Sequence, residues 1–209
     1  MGDGDARLRY DLGQLGGEQS GHIADVGFDL YVRLVGEAVA EFRGDVEPVR
    51  RDVKVELPID AHLPHDYVDS QRLRLEGYQR LAKVSDESEL AAVAEELADR
   101  YGPLPEQVSN LLAVAAFRIV AATAGVTEVT LQGNLVRFAG VTLSESQLVR
   151  LDRLYPKSLV KAPLRTVLIP RPKPTTFGAH PIRDAALLAW ATEVVQQLFL
   201  RQPVAQPVG

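Results

Sequence analysis

With 209 residues, 46% hydrophobic content and a net charge of −5 from 28 acidic and 23 basic side chains, the chain has the composition of a packed protein, one domain of moderate size plus an appendage. The acidic balance speaks against a freestanding nucleic-acid binder, which carries a basic excess, and the absence of cysteine excludes disulfides and thiolate metal sites. No apolar run approaches the roughly 20 residues that span a bilayer and no signal peptide is visible, so a cytoplasmic location without membrane contact is expected.

Taken in chain order, the first feature is the loop "LGGEQSGH", Leu15 to His22. Its glycines, Gly16, Gly17 and Gly21, fit neither the P-loop nor the dinucleotide-binding spacing, and no lysine follows. Ile23, Val26, Leu30, Leu34 and Ala38 then recur at helical steps, which predicts a helix of about five turns. Gly44 and Pro48 mark a connector. A boundary is therefore placed between an N-terminal element, 1–46, and a compact domain, 47–209.

Val53, Val55 and Leu57 alternate with charged residues and predict a half-buried strand ended by Pro58. "DYVDSQRLRLEGYQRLAKV" predicts a helix with Leu75, Tyr78, Leu81 and Ala82 inward. The next helix carries Leu90, Val93, Ala94, Leu97 and Tyr101 on one face, with a capping box from Asp86 and Glu89 and an αL stop at Gly102. Pro103 and Pro105 force a turn into a third helix through Val108, Leu111, Leu112, Ala115 and Ile119, closed by Gly125.

The period then changes from 3.6 to 2. Val129 and Leu131 alternate with Glu128, Thr130 and Gln132, Gly133-Asn134 turns the chain, and Val136 and Phe138 alternate on the return. Ser144 and Gln147 cap a helix through Leu148, Leu151 and Leu154. "RTVLIP" reads as a strand, "PRPKPTTFGAHP" as a linker, and Pro181 as the opening of a last helix through Leu187, Leu188, Ala191, Val194, Val195 and Leu198. Helices, hairpin, helix, strand and helix in that order argue for an α+β domain rather than a doubly wound one.

Candidate chemistry is sparse. His62 and His65 lie among Asp60, Asp66 and Asp69 in "IDAHLPHDYVD", but Pro64 separates them and His22 and His180 are remote in sequence. Surface loop residues are the better reading, and no metal is expected. Ser20, Ser70 and Ser109 sit at helix edges, where capping is the usual role. Glu95, Glu96 and Asp99 could pair as acid and base, yet at this spacing they suit a solvated face. Arg50, Arg51, Arg72, Arg74 and Arg80 are the basic concentrations, diluted by Glu56 and Glu76. No catalytic residue is expected, and no cofactor. A metal hydrolase centred on His62 and His65 stands as a weaker alternative.

Two stretches carry a resemblance. "LGGEQSGHIADVGFDLYVRLVGEAV" resembles the segment after the second motor lobe of the bacterial transcription-repair coupling factor family. "LPIDAHLPHDYV" with "RLRLEGYQRLAKVSDESELAAVAEELADRYGPLP" is similar to that family's C-terminal domain. The resemblance implies a fragment of an ATP-driven DNA translocase that removes stalled RNA polymerase and recruits the excision-repair damage-recognition ATPase. ATP and Mg would belong to the parent's motor lobes, not to this chain.

By the same resemblance the opening loop is part of a translocation motif. Its glutamine matches Gln19, and its arginine falls by spacing at Arg9, where the family's glycine-rich run is replaced by Tyr10, Asp11 and Leu12. The family's C-terminal domain packs on the parent's N-terminal repair-helicase-like module and hides its recruitment surface. The matching positions are Glu96, Asp99 and Arg100, which at i, i+3 and i+4 share one side of a helix. The expected function is thus a non-catalytic autoinhibitory module. The alternative is a DNA-contacting module using Arg9, Gln19 and the basic residues near Arg50 and Arg72.

Overall fold

The computed structural model describes residues 53–173 and 180–200. The expected N-terminal helix and its loop, with Arg9, Gln19, Ser20, His22, Arg50 and Arg51, lie outside the described residues.

Among the described residues there are five helices and five strands. The order is β1 (Lys54–Glu56), α1 (Gln71–Lys83), α2 (Glu87–Tyr101), α3 (Glu106–Thr123), β2 (Glu128–Gln132), β3 (Leu135–Ala139), α4 (Glu145–Leu154), β4 (Leu159–Lys161), β5 (Thr166–Pro170) and α5 (Asp184–Val194). A short 3-10 turn, Ala162–Leu164, links β4 to β5, and a π-helical turn, Val195–Phe199, continues α5. This is the α+β domain that the sequence predicts.

The strands form one sheet in the order β1-β2-β3-β5-β4. β1 runs parallel to β2, and the other pairs are antiparallel. The register aligns Val55, Val129, Phe138, Val167 and Val160 in a row across all five strands. Because strand side chains alternate between faces, that row and its neighbours Val136 and Ile169 present one apolar face. α3, α5 and the π turn pack there: Phe138 meets Phe199 at 5.4 Å and Trp190 at 6.5 Å between ring centroids. Val129, Val136, Phe138 and Ile169 are fully buried. Burying aliphatic and aromatic side chains of this size contributes about 1.5–3 kcal/mol each.

The opposite face is mixed. Its rows are Lys54-Glu128-Ala139-Thr166-Lys161 and Glu56-Thr130-Arg137-Leu168-Leu159. Glu128 bridges Arg137 at 2.6 Å and Lys54 at 3.6 Å on that face. The predicted hairpin is present with Gly133 in the left-handed region, φ 62°. The predicted facing of Thr130 is also right, but Thr130 is buried while Leu131 is only half-buried. Alternation dictates which face a residue takes, not how well that face is covered.

Several boundaries shift for identifiable reasons. α1 begins five residues into the predicted helical segment. Tyr67 and Val68 first bond back to the Pro64 carbonyl in a turn, and Ser70 then caps the helix by accepting from the Leu73 amide. Leu75 and Ala82 are half-buried, leaving Tyr78 and Leu81 as the core contacts of α1. Asp86 caps α2, but Glu89 reaches past it to the Ser85 amide at 2.8 Å and hydroxyl at 3.0 Å. Gly102 has φ 90° but ψ −166°, so it turns the chain away from α2 without the αL geometry expected.

The capping box of Ser144 and Gln147 is present at α4, yet only Leu151 of its predicted stripe is buried. Leu148 and Leu154 stay exposed. The last helix starts at Asp184, not at Pro181: Arg183 before it is extended, φ −137° and ψ 175°, and Ile182 donates its amide to the Pro172 carbonyl. β4 has no signal in the sequence pattern: it is three residues long, all exposed. Of the predicted linker, 174–179 lie outside the described residues.

Candidate functional site

α2 is amphipathic, and its two sides do different work. Leu90, Val93 and Leu97 are buried, while Asp99 and Arg100 are exposed and Glu96 is half-buried at the boundary. The structure therefore brings Glu96, Asp99 and Arg100 to one side of one helix. It also places something beside them that the spacing does not reveal. Arg80, on α1, donates to Oε2 of Glu96, and Arg100 donates to Oε1 at 3.2 Å. Both carboxylate oxygens are thus engaged by arginines of the same chain. The Arg100 guanidinium also lies 5.6 Å from the Tyr101 ring centroid. Asp99 has no ion-pair partner among the described residues. The surface is mixed in charge rather than a plain acidic patch.

Beneath these charges is a cleft of about 110 Å³ between α1 and α2. Leu63, Val68, Leu73, Val93 and Leu97 supply its apolar floor, and Glu76, Arg80, Glu96 and Arg100 stand at its mouth. Gly77 keeps it narrow: a Cβ there would stand 2.9 Å from Leu63 Cδ1. Tyr67 braces the far end. Its hydroxyl hydrogen faces two acceptors, the Leu97 carbonyl at 2.9 Å and the Gly102 carbonyl at 3.0 Å, the second of which lies past the end of the helix and outside its ladder. Burial and the neighbouring Tyr101 hold the Tyr67 phenol above its ordinary pKa, so it stays a donor at neutral pH.

The remaining candidates have local partners. Arg72 pairs with Glu76 at 2.9 Å along α1. Arg74 donates to the carbonyls of Val68 at 2.6 Å and Asp69 at 3.0 Å. His62 Nδ1 lies 2.9 Å from Asp60 Oδ1, and His65, Asp66, Asp69 and His180 are exposed. Among the described residues no three His, Cys, Asp or Glu side chains converge as a metal site. Ser70 is a cap, whereas Ser109 lies exposed within the first turns of α3. Glu95 is exposed on α2. None of the described helices is long and apolar enough to cross a membrane.

Sequence reasoning missed Arg80 as the partner of Glu96. The two are 16 residues apart on different helices, and no local pattern joins them. It also missed a basic run: from Arg153 to Arg183 the chain holds seven Lys or Arg and no Asp or Glu.

Comparison with known proteins places this geometry in context. Residues 57–151 match the family described as the TRCF domain. The transcription-repair-coupling factors of Mycobacterium bovis and Mycobacterium tuberculosis are each 46% identical to the chain over 206 residues, covering 93% of it and 17% of their own length. That of Myxococcus xanthus is 39% identical over 115 residues, covering 55% of this chain and 10% of its own. The chain thus spans 17% of the length of the two mycobacterial relatives and 10% of the myxobacterial one. A crystal structure of the C-terminal domain of a transcription-repair coupling factor superposes with a TM-score of 0.55, covering 71% of this chain and 94% of that one. At 17% identity it speaks for the fold.

Proposed function

The chain belongs to the transcription-repair-coupling factor family, as its C-terminal region, and on that premise we propose that it is a non-catalytic regulatory module of a larger bacterial DNA translocase. In this reading the parent burns ATP with Mg in motor lobes outside this chain, displaces stalled RNA polymerase from duplex DNA, and recruits the excision-repair damage-recognition ATPase in the cytoplasm. Gly16, Gly17 and Gly21 do not fit a nucleotide cradle, so no step through ATP is assigned to these residues.

The module docks on the parent's N-terminal repair-helicase-like part through Glu96, Asp99 and Arg100, and masks its recruitment surface until released. One observation supports this best: charged side chains capable of pairing ring an apolar cleft on an otherwise well-packed helix pair. The Arg80–Glu96–Arg100 bridge is largely solvent-accessible, and exposed pairs of this kind are worth about 0–1 kcal/mol. A partner's guanidinium can therefore replace Arg80 at little cost. Charge-assisted bonds contribute about 1.5–3 kcal/mol each before that exchange is subtracted, which leaves a contact that a competing partner can open.

Glu96→Arg with Asp99→Arg tests it. Titration against the parent's N-terminal module should show docking at least about tenfold weaker, with the melting temperature nearly unchanged. Undiminished docking would remove these residues from the interface. Direct DNA contact is the less favoured reading, since Arg72 and Arg74 already serve local partners.

A further inference from the structure

Among the described residues β4 is an edge strand: it pairs with β5 on one side and has no strand on the other. An edge leaves backbone N–H and C=O groups without ladder partners. Around it the surface is unusual. The exposed large hydrophobics among the described residues are Leu148, Val149, Leu154, Leu159, Val160 and Leu164, all within the stretch that runs from α4 through β4 into the 3-10 turn. Leu164 is 68% exposed and Leu159 51% exposed. Of these, Leu159, Val160 and Leu164 lie on the strand and the turn that follows it, and contiguous exposed apolar side chains mark interaction surfaces more often than single ones do.

The charge is as one-sided as the hydropathy. Lys157 precedes the strand and Lys161 ends it, both exposed and with no ion pair among the described residues. Arg165 follows, donating to the Gly140 carbonyl at 2.7 Å. They belong to the acid-free run from Arg153 to Arg183 in a chain whose net charge is −5. Lysines on an edge discourage pairing with arbitrary strands. They do not repel an acidic one.

We propose that the β4 edge is a strand-addition site for an extended segment of a partner protein that alternates acidic and aliphatic side chains. Main-chain bonds to β4 give the affinity, as in other edge-pairing modes. By strand alternation the peptide's carboxylates share the face of Lys161, and its aliphatic side chains share the face of Val160. The apolar side chains favour a peptide over nucleic acid, since a phosphate backbone would leave them uncovered. The site is remote in sequence from Glu96 and would leave that face free.

The test uses the 209-residue chain and a fluorescent eight-residue peptide alternating valine with glutamate, read by anisotropy. Saturable binding is expected, weakened at least about tenfold by Lys157→Glu with Lys161→Glu, a surface change checked for folding by circular dichroism. The same peptide methylated on alternate backbone nitrogens keeps the charges but loses donors, and should bind at least about tenfold more weakly. Amide exchange at 159–161 should slow on peptide addition. Absence of saturable binding, equal binding of the methylated peptide, insensitivity to the lysine changes, or displacement of the peptide by a short DNA duplex at equal concentration would each overturn the assignment.

Discussion

The guanidinium of Arg80 on α1 is bound to the carboxylate of Glu96 on α2, so the residue expected to receive a partner's arginine already holds one from its own chain. The bridge ties together the two helices that wall the cleft. It means that docking through Glu96 is an exchange of partners rather than the capture of a free carboxylate.

Arg80→Ala separates these roles. The pair is exposed enough that its loss should cost the fold no more than about 1 kcal/mol. If a partner's arginine takes its place, the variant should dock on the parent's N-terminal module several-fold more tightly. Calorimetric titration of both proteins decides it: weaker docking would make Arg80 itself part of the interface.

Tyr67→Phe removes one hydroxyl that serves the Leu97 and Gly102 carbonyls. The ring still packs near Tyr101, whose centroid is 5.7 Å away, so the loss is confined to hydrogen bonding. The Leu97 carbonyl keeps its helical donor, so the cost is that of leaving the part-buried Gly102 carbonyl short of one, about 1–2 kcal/mol. Urea unfolding should show a lower midpoint with an unchanged slope. No shift in midpoint would mean that water satisfies the Gly102 carbonyl.

Two glycines with positive φ should respond unequally to alanine. Gly133 has φ +62° and open space around it, so Gly133→Ala carries only the backbone penalty of about 1–2 kcal/mol. At Gly140, φ +86°, a Cβ would stand 2.7 Å from Thr127 Oγ1 and 2.9 Å from the Gly125 carbonyl oxygen. Overpacking adds about 1–3 kcal/mol there. Gly140→Ala should therefore melt several degrees below Gly133→Ala in a thermal scan. Equal melting temperatures would mean that the Thr127 loop yields freely.

Glu128 gives the fold a pH signature. Burial pushes its carboxyl up, but the hydrogen bond and charge of Arg137, together with Lys54, outweigh this and hold it below the ordinary 4.5. A depressed folded-state pKa stabilises above the unfolded value, and that stability is lost as pH falls through the folded value. Glu128→Gln should thus unfold more easily than the parent chain at pH 7, and the gap in urea midpoint should narrow below about pH 4. A gap independent of pH would show that Glu128 acts through shape rather than charge.

What the amino-acid order determined by itself is local. The hairpin at Gly133-Asn134, the Ser144–Gln147 box and the apolar face of α2 each follow from interactions within a few residues, where periodicity and capping act directly. The shared side of Glu96, Asp99 and Arg100 was legible for the same reason. Everything that required distant segments to meet was decided by tertiary packing: the parallel pairing of β1 with β2, the edge position of β4, the half-covered stripe of α4, and above all the bridge from Arg80 to Glu96. A charged side chain reads the same in sequence whether its neighbour in space is water or an opposite charge. Only the crossing of α1 over α2 supplies that neighbour, because the energy of the pair depends on distance in space and not along the chain.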